Sequence, residues 1–192
     1  MADINSLDLR EPDPIDWEHY DTGERKPIVV PTKGMYQVVS TEPVEVGATR
    51  SKYLMIKFPS FKIVSAPVPE FEGAEIRFTN LSVQKWPNRE GSPLGDYLKA
   101  HGVQGQRTNP EYVAAVESCQ GRVAEAGVDW RAYCKDCGTE LKGMDKFPLA
   151  ADGTRQPFIE CPTKCQDNTD PNNPRPKRLW ANTVITYFKA RA

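Results

Sequence analysis

Residues 52–65 read KYLMIKFPSFKIVS, a long run rich in the β-branched and aromatic residues that favour strands. Pro59 lies inside this run and cannot donate a ladder hydrogen bond, so it requires a bulge or bend there. Two shorter runs flank it, MYQVVST at residues 35–41 and AEIRFTNLSV at residues 74–83, and the second alternates clearly between apolar and polar positions. Turn residues separate the three runs, which together predict an antiparallel meander.

Helix signals follow the meander. Ser92 is suited to an N-cap, Pro93 to the first helical position and Gly102 to the position after the helix, so a helix is predicted between them. A second helix is predicted to open at Asn109.

Two later segments, residues 122–133 and 179–189, return to strand character. The resulting order is three strands, helices, a strand, an insertion and a last strand. This order predicts a mainly β fold with minor α: a five-stranded OB-type barrel with a helical segment between strands 3 and 4 and an insertion before the last strand.

The chain divides by composition into three parts. Residues 1–33 are rich in acids and prolines and are predicted to be a flexible N-terminal arm, with a balance of −6 over residues 1–25. Residues 34–133 and 178–192 form the predicted barrel. Residues 134–177 are the inserted cysteine segment and its linker. Outside the first 25 residues the balance is +5, which is suited to a moderate, salt-sensitive attraction to an anionic partner.

Four of the five cysteines fall in two tight pairs, Cys134-Lys-Asp-Cys137 and Cys161-Pro-Thr-Lys-Cys165. Two turns of this kind can place four thiolates around one ion, which predicts a structural zinc ribbon with four cysteine ligands. Because the insertion has few apolar residues, the metal is expected to supply most of its folding free energy. An iron–sulfur or rubredoxin-type iron site has the same ligands and remains open. A thioredoxin-like motif is disfavoured, because the first pair follows a strand and precedes Gly138.

Aromatic residues flanked by bases recur along the chain, a pattern typical of single-stranded nucleic-acid binding, in which bases stack on rings and cations follow the phosphates. Strand aromatics are usually core, so Phe58, Phe61, Phe78, Tyr187 and Phe188 are expected inside, as is the fifth cysteine, Cys119. Trp130 and Tyr133 are three apart in a strand, so only one of them can belong to a binding face. The candidate nucleic-acid contacts are Arg50, Lys52, Tyr53, Lys57, Arg77, Lys85, Trp86, Arg89, Trp130, Arg131, Lys177, Arg178 and Trp180.

Three segments, residues 34–39, 53–58 and 74–82, together with the following helix and the late strand that begins at Gly121, resemble a group of phage-encoded single-stranded DNA-binding proteins. The resemblance is one of pattern and covers roughly residues 34–133 and 178–190. It implies an OB-fold that coats DNA during replication or recombination. A zinc ribbon in the loop before the last strand also occurs in OB domains of eukaryotic single-strand-binding complexes.

The sequence thus predicts a non-enzymatic single-stranded DNA-binding protein with one structural Zn²⁺; RNA is also a candidate ligand. Replication or recombination proteins are candidate partners of the acidic arm. The alternative is an adaptor or virion-associated protein whose ribbon binds a protein partner. Catalysis is not expected, because only His19 and His101 are present and no nucleophile triad or phosphate-binding loop is found. Without an apolar span or a signal peptide, a cytoplasmic, reducing location is expected, which is the host cytoplasm for a phage protein.

Overall fold

The computed structural model describes residues 29–30, 32–85, 91–167 and 175–190. These residues form a mainly β structure with two α-helices, as the sequence predicts. Most of the acidic arm lies outside the described residues, as do Trp86 and Arg89. The strands are β1 (Gly34–Val39), β2 (Glu45–Ala48), β3 (Leu54–Ser65), β4 (Glu75–Ser82), β5 (Ala124–Tyr133), β6 (Glu140–Lys142), β7 (Phe158–Glu160), β8 (Gln166–Asp167), β9 (Arg175–Pro176), β10 (Arg178–Trp180) and β11 (Asn182–Phe188), and the helices are α1 (Pro93–Ala100) and α2 (Asn109–Cys119).

The main sheet is antiparallel and is organised around β3. This strand pairs with β2 along its first residues, with β1 along its last residues, and with β4 over most of its length. On its other edge β1 pairs with β5, and β5 pairs in turn with β11 and with β6. Two small sheets, β7 with β10 and β8 with β9, belong to the cysteine segment.

Pro59 lies where one edge of β3 changes partner. Residues 54–57 pair with β2 and residues 62–65 with β1, so Pro59 falls between the two ladders, where its missing N–H costs no bond. Phe58 and Phe61 are both buried although they are three apart, so β3 changes its inward face at the proline. The ladder with β4 keeps one register across the proline, from Phe58 opposite Thr79 to Phe61 opposite Ile76, so no bulge interrupts it, and both rings lie in one core.

Both helices begin where the sequence predicts them, at Pro93 and at Asn109. The Ser92 hydroxyl accepts the Gly95 N–H at 3.0 Å, and Gly102 follows the end of α1 with a φ of 77°. Thr108 and Glu111 form a capping box at the start of α2. Neither helix, nor any other in the described residues, has the length and apolar composition needed to cross a membrane.

Buried apolar residues form two clusters. The larger lies between the main sheet and the helices and contains most of the large buried rings, Phe58 and Phe61 among them. The smaller contains Trp130, Phe147 and two of the cysteines. We call residues 32–85, 91–133 and 182–190 the body, and residues 134–167 and 175–181 the ribbon. β5 runs through both clusters and so joins the two regions.

Candidate metal centre and nucleic-acid interface

The first cysteine turn follows directly from β5. The Gly138 N–H donates to the Cys134 carbonyl at 2.9 Å, and the Cys134 N–H donates to the Thr139 carbonyl at 2.9 Å. Gly138 has a φ of 71°, a conformation that costs glycine little and that reverses the chain after the second cysteine. Both sulfurs of this pair therefore face one side of a tight turn.

The second turn is one residue wider and is held by a strand from the far end of the insertion. Lys164 occupies the left-handed region at φ 56°, and its N–H donates to the Cys161 carbonyl at 2.8 Å. Lys177 clamps both cysteines of this pair: its carbonyl accepts the Cys161 N–H at 2.8 Å, and its own N–H donates to the Cys165 carbonyl at 2.7 Å.

The four sulfurs lie together at the point where the two turns meet. All are within 4.8 Å of one another, and the Sγ atoms of Cys137 and Cys161 are 3.6 Å apart. A tetrahedral thiolate site with metal–sulfur bonds of about 2.3 Å has sulfurs about 3.8 Å apart. Cys134 and Cys161 are buried, Cys165 is half-buried and Cys137 is exposed. This group could hold a metal ion, and its donors fit a closed four-sulfur shell.

The surroundings act on the four thiols in opposite directions. Burial raises the pKa of Cys134 to about 12, whereas the hydroxyls of Thr139 and Thr163 lower the pKa of Cys137 to about 5. Burial opposes ionisation of Cys161, but the Thr163 hydroxyl and backbone N–H groups outweigh it and lower that pKa. A bound cation would supply the stabilisation that the buried Cys134 thiolate lacks.

Asp129 of β5 fastens the ribbon to the body. Its Oδ1 accepts the backbone N–H groups of Trp130 and Met144, each at 2.8 Å, and its Oδ2 pairs with the Lys33 ammonium at 2.8 Å. That carboxylate raises the pKa of Lys33. Met144 lies in the ribbon core and begins the turn Met144–Lys146. The buried side chain of Asp129 therefore holds this turn of the ribbon against the sheet.

Five predicted contacts lie on neighbouring elements near the open end of β2, β3 and β4. Arg50, Lys52 and Tyr53 lie in the hairpin turn before β3. Lys57 lies on β3, and Lys85 follows the end of the neighbouring strand β4. The four cations form no ion pair within the described part of the chain. We call this group the hairpin cluster: Arg50, Lys52, Tyr53, Lys57 and Lys85.

The hairpin turn exposes this cluster by a specific backbone conformation. The Lys52 N–H donates to the Thr49 carbonyl at 2.8 Å, the Thr49 N–H donates to the Tyr53 carbonyl at 2.9 Å, and Lys52 has a φ of 65°. This is a three-residue loop whose last position favours glycine. Tyr53, the next residue, exposes 47% of its surface.

A second group of predicted contacts lies on the ribbon. Trp180 is 54% exposed and its ring centroid is 5.2 Å from that of Phe158 on the paired strand. The Arg178 guanidinium lies over the same Phe158 ring at 4.9 Å. These three side chains form an exposed surface of rings and one cation, which we call the ribbon platform.

The remaining predicted contacts are engaged in the fold to different degrees. Arg77 pairs with Glu75 at 3.5 Å, Arg131 pairs with Glu140, and the Lys177 ammonium bonds Asp136 of the first cysteine turn at 2.9 Å. Lys177 thus links the two cysteine turns through side chain and backbone, and we assign it to the architecture of the ribbon.

Trp130 is a correction to the sequence prediction. It is 2% exposed, its indole N–H donates to the Val30 carbonyl at 2.7 Å, and its ring meets Phe147 edge-on, so it cannot stack on a base. Of the two aromatics that face opposite ways, Tyr133 is the accessible one. Tyr133 directly precedes the buried Cys134. Because neighbouring residues of a strand point to opposite faces, this position is the sequence signal that Tyr133 is exposed.

Tyr187 is a second correction, because the sequence predicts it in the core and the structure exposes it. The ladder between β5 and β11 shifts register between Ile185 and Tyr187, which turns this ring outward over Gly127. A register shift of this kind leaves no signal in the alternation of a single strand. The other predicted core residues that the structure describes are buried as expected: Phe58, Phe61, Phe188 and Cys119. The side chain of Phe78 lies outside the described part of the structure.

Comparison with protein-family models, with curated proteins and with solved structures found no match to this chain.

Proposed function

We propose that this chain is a non-enzymatic single-stranded DNA-binding protein, built on an OB-type barrel with a structural zinc ribbon. Bases would stack on exposed rings while lysines and arginines neutralise phosphates. The resemblance noted above extends the proposal to DNA replication or recombination in a bacteriophage. The observation that carries it is the hairpin cluster, four cations without an ion-pair partner in the described residues around an exposed tyrosine.

The strand order supports an OB-type barrel. β1, β3, β4, β5 and β11 would take the places of its five strands, and four of the five neighbour pairs are hydrogen-bonded ladders. The fifth pair, β4 and β11, approaches within 8 Å at Cα atoms without a ladder among the described residues. α1, which lies between the third and fourth of these strands in sequence, packs against β4, β5 and β11.

This assignment places both groups of exposed contacts where OB-folds bind oligonucleotides. Such folds use the face of their second and third strands and the loops between strands one and two and between strands four and five. Here those strands are β3 and β4. The first loop contains β2 and three members of the hairpin cluster, Arg50, Lys52 and Tyr53, and the second loop is the ribbon with its platform.

We propose zinc as the ion in the four-cysteine group, with a structural role. Zn²⁺ prefers a tetrahedral thiolate shell, and four thiolates leave no position for a reactive water. The ion would fix both turns and therefore β10, the strand that carries Arg178 and Trp180.

A second candidate function is that of an adaptor whose ribbon binds a protein. It is favoured by two exposed apolar side chains on the ribbon, Trp180 and Leu149, which are 54% and 59% exposed. Both functions leave the metal site structural, so a binding measurement has to separate them.

The test is a fluorescence anisotropy titration with labelled oligo(dT), and in parallel oligo(U), at about 50 and 200 mM salt. Single-strand binding predicts a logarithmic salt slope of about −0.7 for each phosphate contact. The double variant Arg50→Gln with Lys57→Gln should bind several-fold more weakly and with a shallower slope. Lys99→Gln removes one exposed charge from α1 and should leave both quantities nearly unchanged.

Absence of binding to either oligonucleotide at low salt would refute this proposal and favour the adaptor. An equal loss with Lys99→Gln would show that total charge, and not the hairpin cluster, controls binding.

A further inference from the structure

A cleft opens between β4 and β11, on residues that the proposed function has not used. Its volume is about 280 Å³. The interior is lined by Leu81, Ala132, Val184 and Ile185, and the polar lining includes the amides of Asn80 and Asn182. Three cations, Arg77, Arg131 and Lys135, and one carboxylate, Asp96, complete the charged lining.

The cleft exists because two neighbouring strands do not pair. β3 holds the other edge of β4, and β5 holds the other edge of β11, while no ladder joins β4 to β11 in the described residues. The register shift before Tyr187 is stabilised by the Thr186 hydroxyl, which donates to the Gly127 carbonyl at 3.0 Å. Two strand edges with backbone donors and acceptors therefore face each other across the cleft.

The cleft borders the first cysteine turn. Tyr133 and Lys135 line it, and they are the two neighbours of Cys134. The Tyr133 hydroxyl lies 3.8 Å from the position that a Cβ on Gly138 would take, so the ring rests against the first cysteine turn. A ligand in the cleft would thus contact a surface that the metal holds in shape.

We propose that the cleft binds one nucleotide of the single strand, with the base between β4 and β11 and the phosphate at the cationic rim. This inference rests on the proposed function and names one subsite within it. The volume is just below the roughly 300–1,000 Å³ of typical small-molecule sites, which suits one base and not a stacked pair. Apolar walls with amides and open strand edges match a flat ring that carries a hydrogen-bonding edge, and a phosphate at the rim would compete with Glu75 and Glu140 for Arg77 and Arg131.

The first test uses the zinc-loaded full chain and free dTMP, with inorganic phosphate as the control. Methyl resonances of Leu81, Val184 and Ile185 should shift with dTMP in the millimolar range and stay in place with phosphate. Identical shifts with phosphate, or none with dTMP, would overturn the proposal. This experiment needs no oligonucleotide, so it shows whether the cleft binds a nucleotide even if the proposed function is wrong.

The second test fills the cleft. Val184→Phe should weaken oligo(dT) binding about tenfold and abolish the dTMP shifts, whereas Ala114→Phe, which adds the same ring at an exposed position of α2 outside the cleft, should do neither. Asn80→Ala removes one exposed amide without adding volume and should weaken binding about threefold. Unchanged oligo(dT) affinity in both Val184→Phe and Asn80→Ala would refute a nucleotide subsite while leaving the hairpin cluster intact.

Discussion

Phe61 in the body and Phe147 in the ribbon are both 1% exposed, yet they lie in very different cores. Phe61 contacts Phe58, Tyr97 and Phe188 in a large cluster made of sheet and helix residues. Phe147 meets Trp130 in a small cluster that includes two cysteines. We therefore expect the body to fold on buried apolar area and the ribbon to depend on an ion that its four sulfurs could hold.

Removal of the metal should have the largest effect on this difference between the two regions. Structural zinc contributes on the order of 10 kcal/mol to small thiolate sites at neutral pH, far more than the ribbon core can replace. We expect a chelator to unfold residues 134–165 and to leave most of the β signal of the body. Hydrogen exchange resolved by residue, together with far-ultraviolet circular dichroism, measures both regions at once.

Two cysteine variants provide the matched control for chelation. Cys161→Ser should lower metal affinity and reproduce the effect of the chelator. Cys119→Ser changes a buried cysteine of the body and should keep the full metal content. If chelation removed all β signal in a single step, the two regions would form one cooperative unit and the comparison would be wrong.

A pair of phenylalanine truncations is the next test. Phe→Ala in a packed core costs about 3–5 kcal/mol, through lost transfer free energy and the cavity left behind. Phe61→Ala should lower the unfolding free energy of the body by that amount and leave metal affinity unchanged. Phe147→Ala should instead weaken metal binding and leave the body's denaturant midpoint nearly in place. Equal effects of both variants on the body would mean that the ribbon core stabilises the body directly.

Asp129 tests how tightly the two regions are coupled. Asp129→Ala leaves the N–H groups of Trp130 and Met144 without their acceptor, at a cost of about 2–3 kcal/mol. We expect it to lower both the body's stability and the metal affinity, measured by urea unfolding and by competition with a chromogenic chelator. Asp129→Asn retains an acceptor oxygen and should lose much less. A loss confined to one region would show that Asp129 belongs to that region alone.

The sequence predicts well those features that depend on local chemistry. Ser92, Pro93 and Gly102 mark α1 because capping and φ preferences act within a few residues. The spacing of Cys134 and Cys137 indicates a shared ion because a turn of that length brings two sulfurs together. The class of the main fold follows in the same way from the apolar runs around residues 52–65.

Features that depend on contacts between distant residues escape the sequence pattern. β2 is short and half-exposed, and its pairing with β3 is set by the turn at Thr49 and not by an apolar pattern. The adjacent Arg131 indicates a surface position for Trp130, but the environment of Trp130 is set by Val30, one hundred residues earlier in the chain. The cleft between β4 and β11 could not be predicted either, because it results from a ladder that does not form.

The smallest expected effect concerns Lys52, where stability and binding are expected to oppose each other. A left-handed conformation costs a residue with a Cβ roughly 1–2 kcal/mol, so Lys52→Gly should stabilise the body by about 1 kcal/mol in urea unfolding. The same change removes a cation of the hairpin cluster and should weaken oligo(dT) binding two- to fivefold. Ser51→Gly, in the same turn but without a positive φ, should stabilise nothing and keep the affinity. If Lys52→Gly gained stability and lost no affinity, the strained turn would serve the fold alone, and Lys52 would not contact the bound strand.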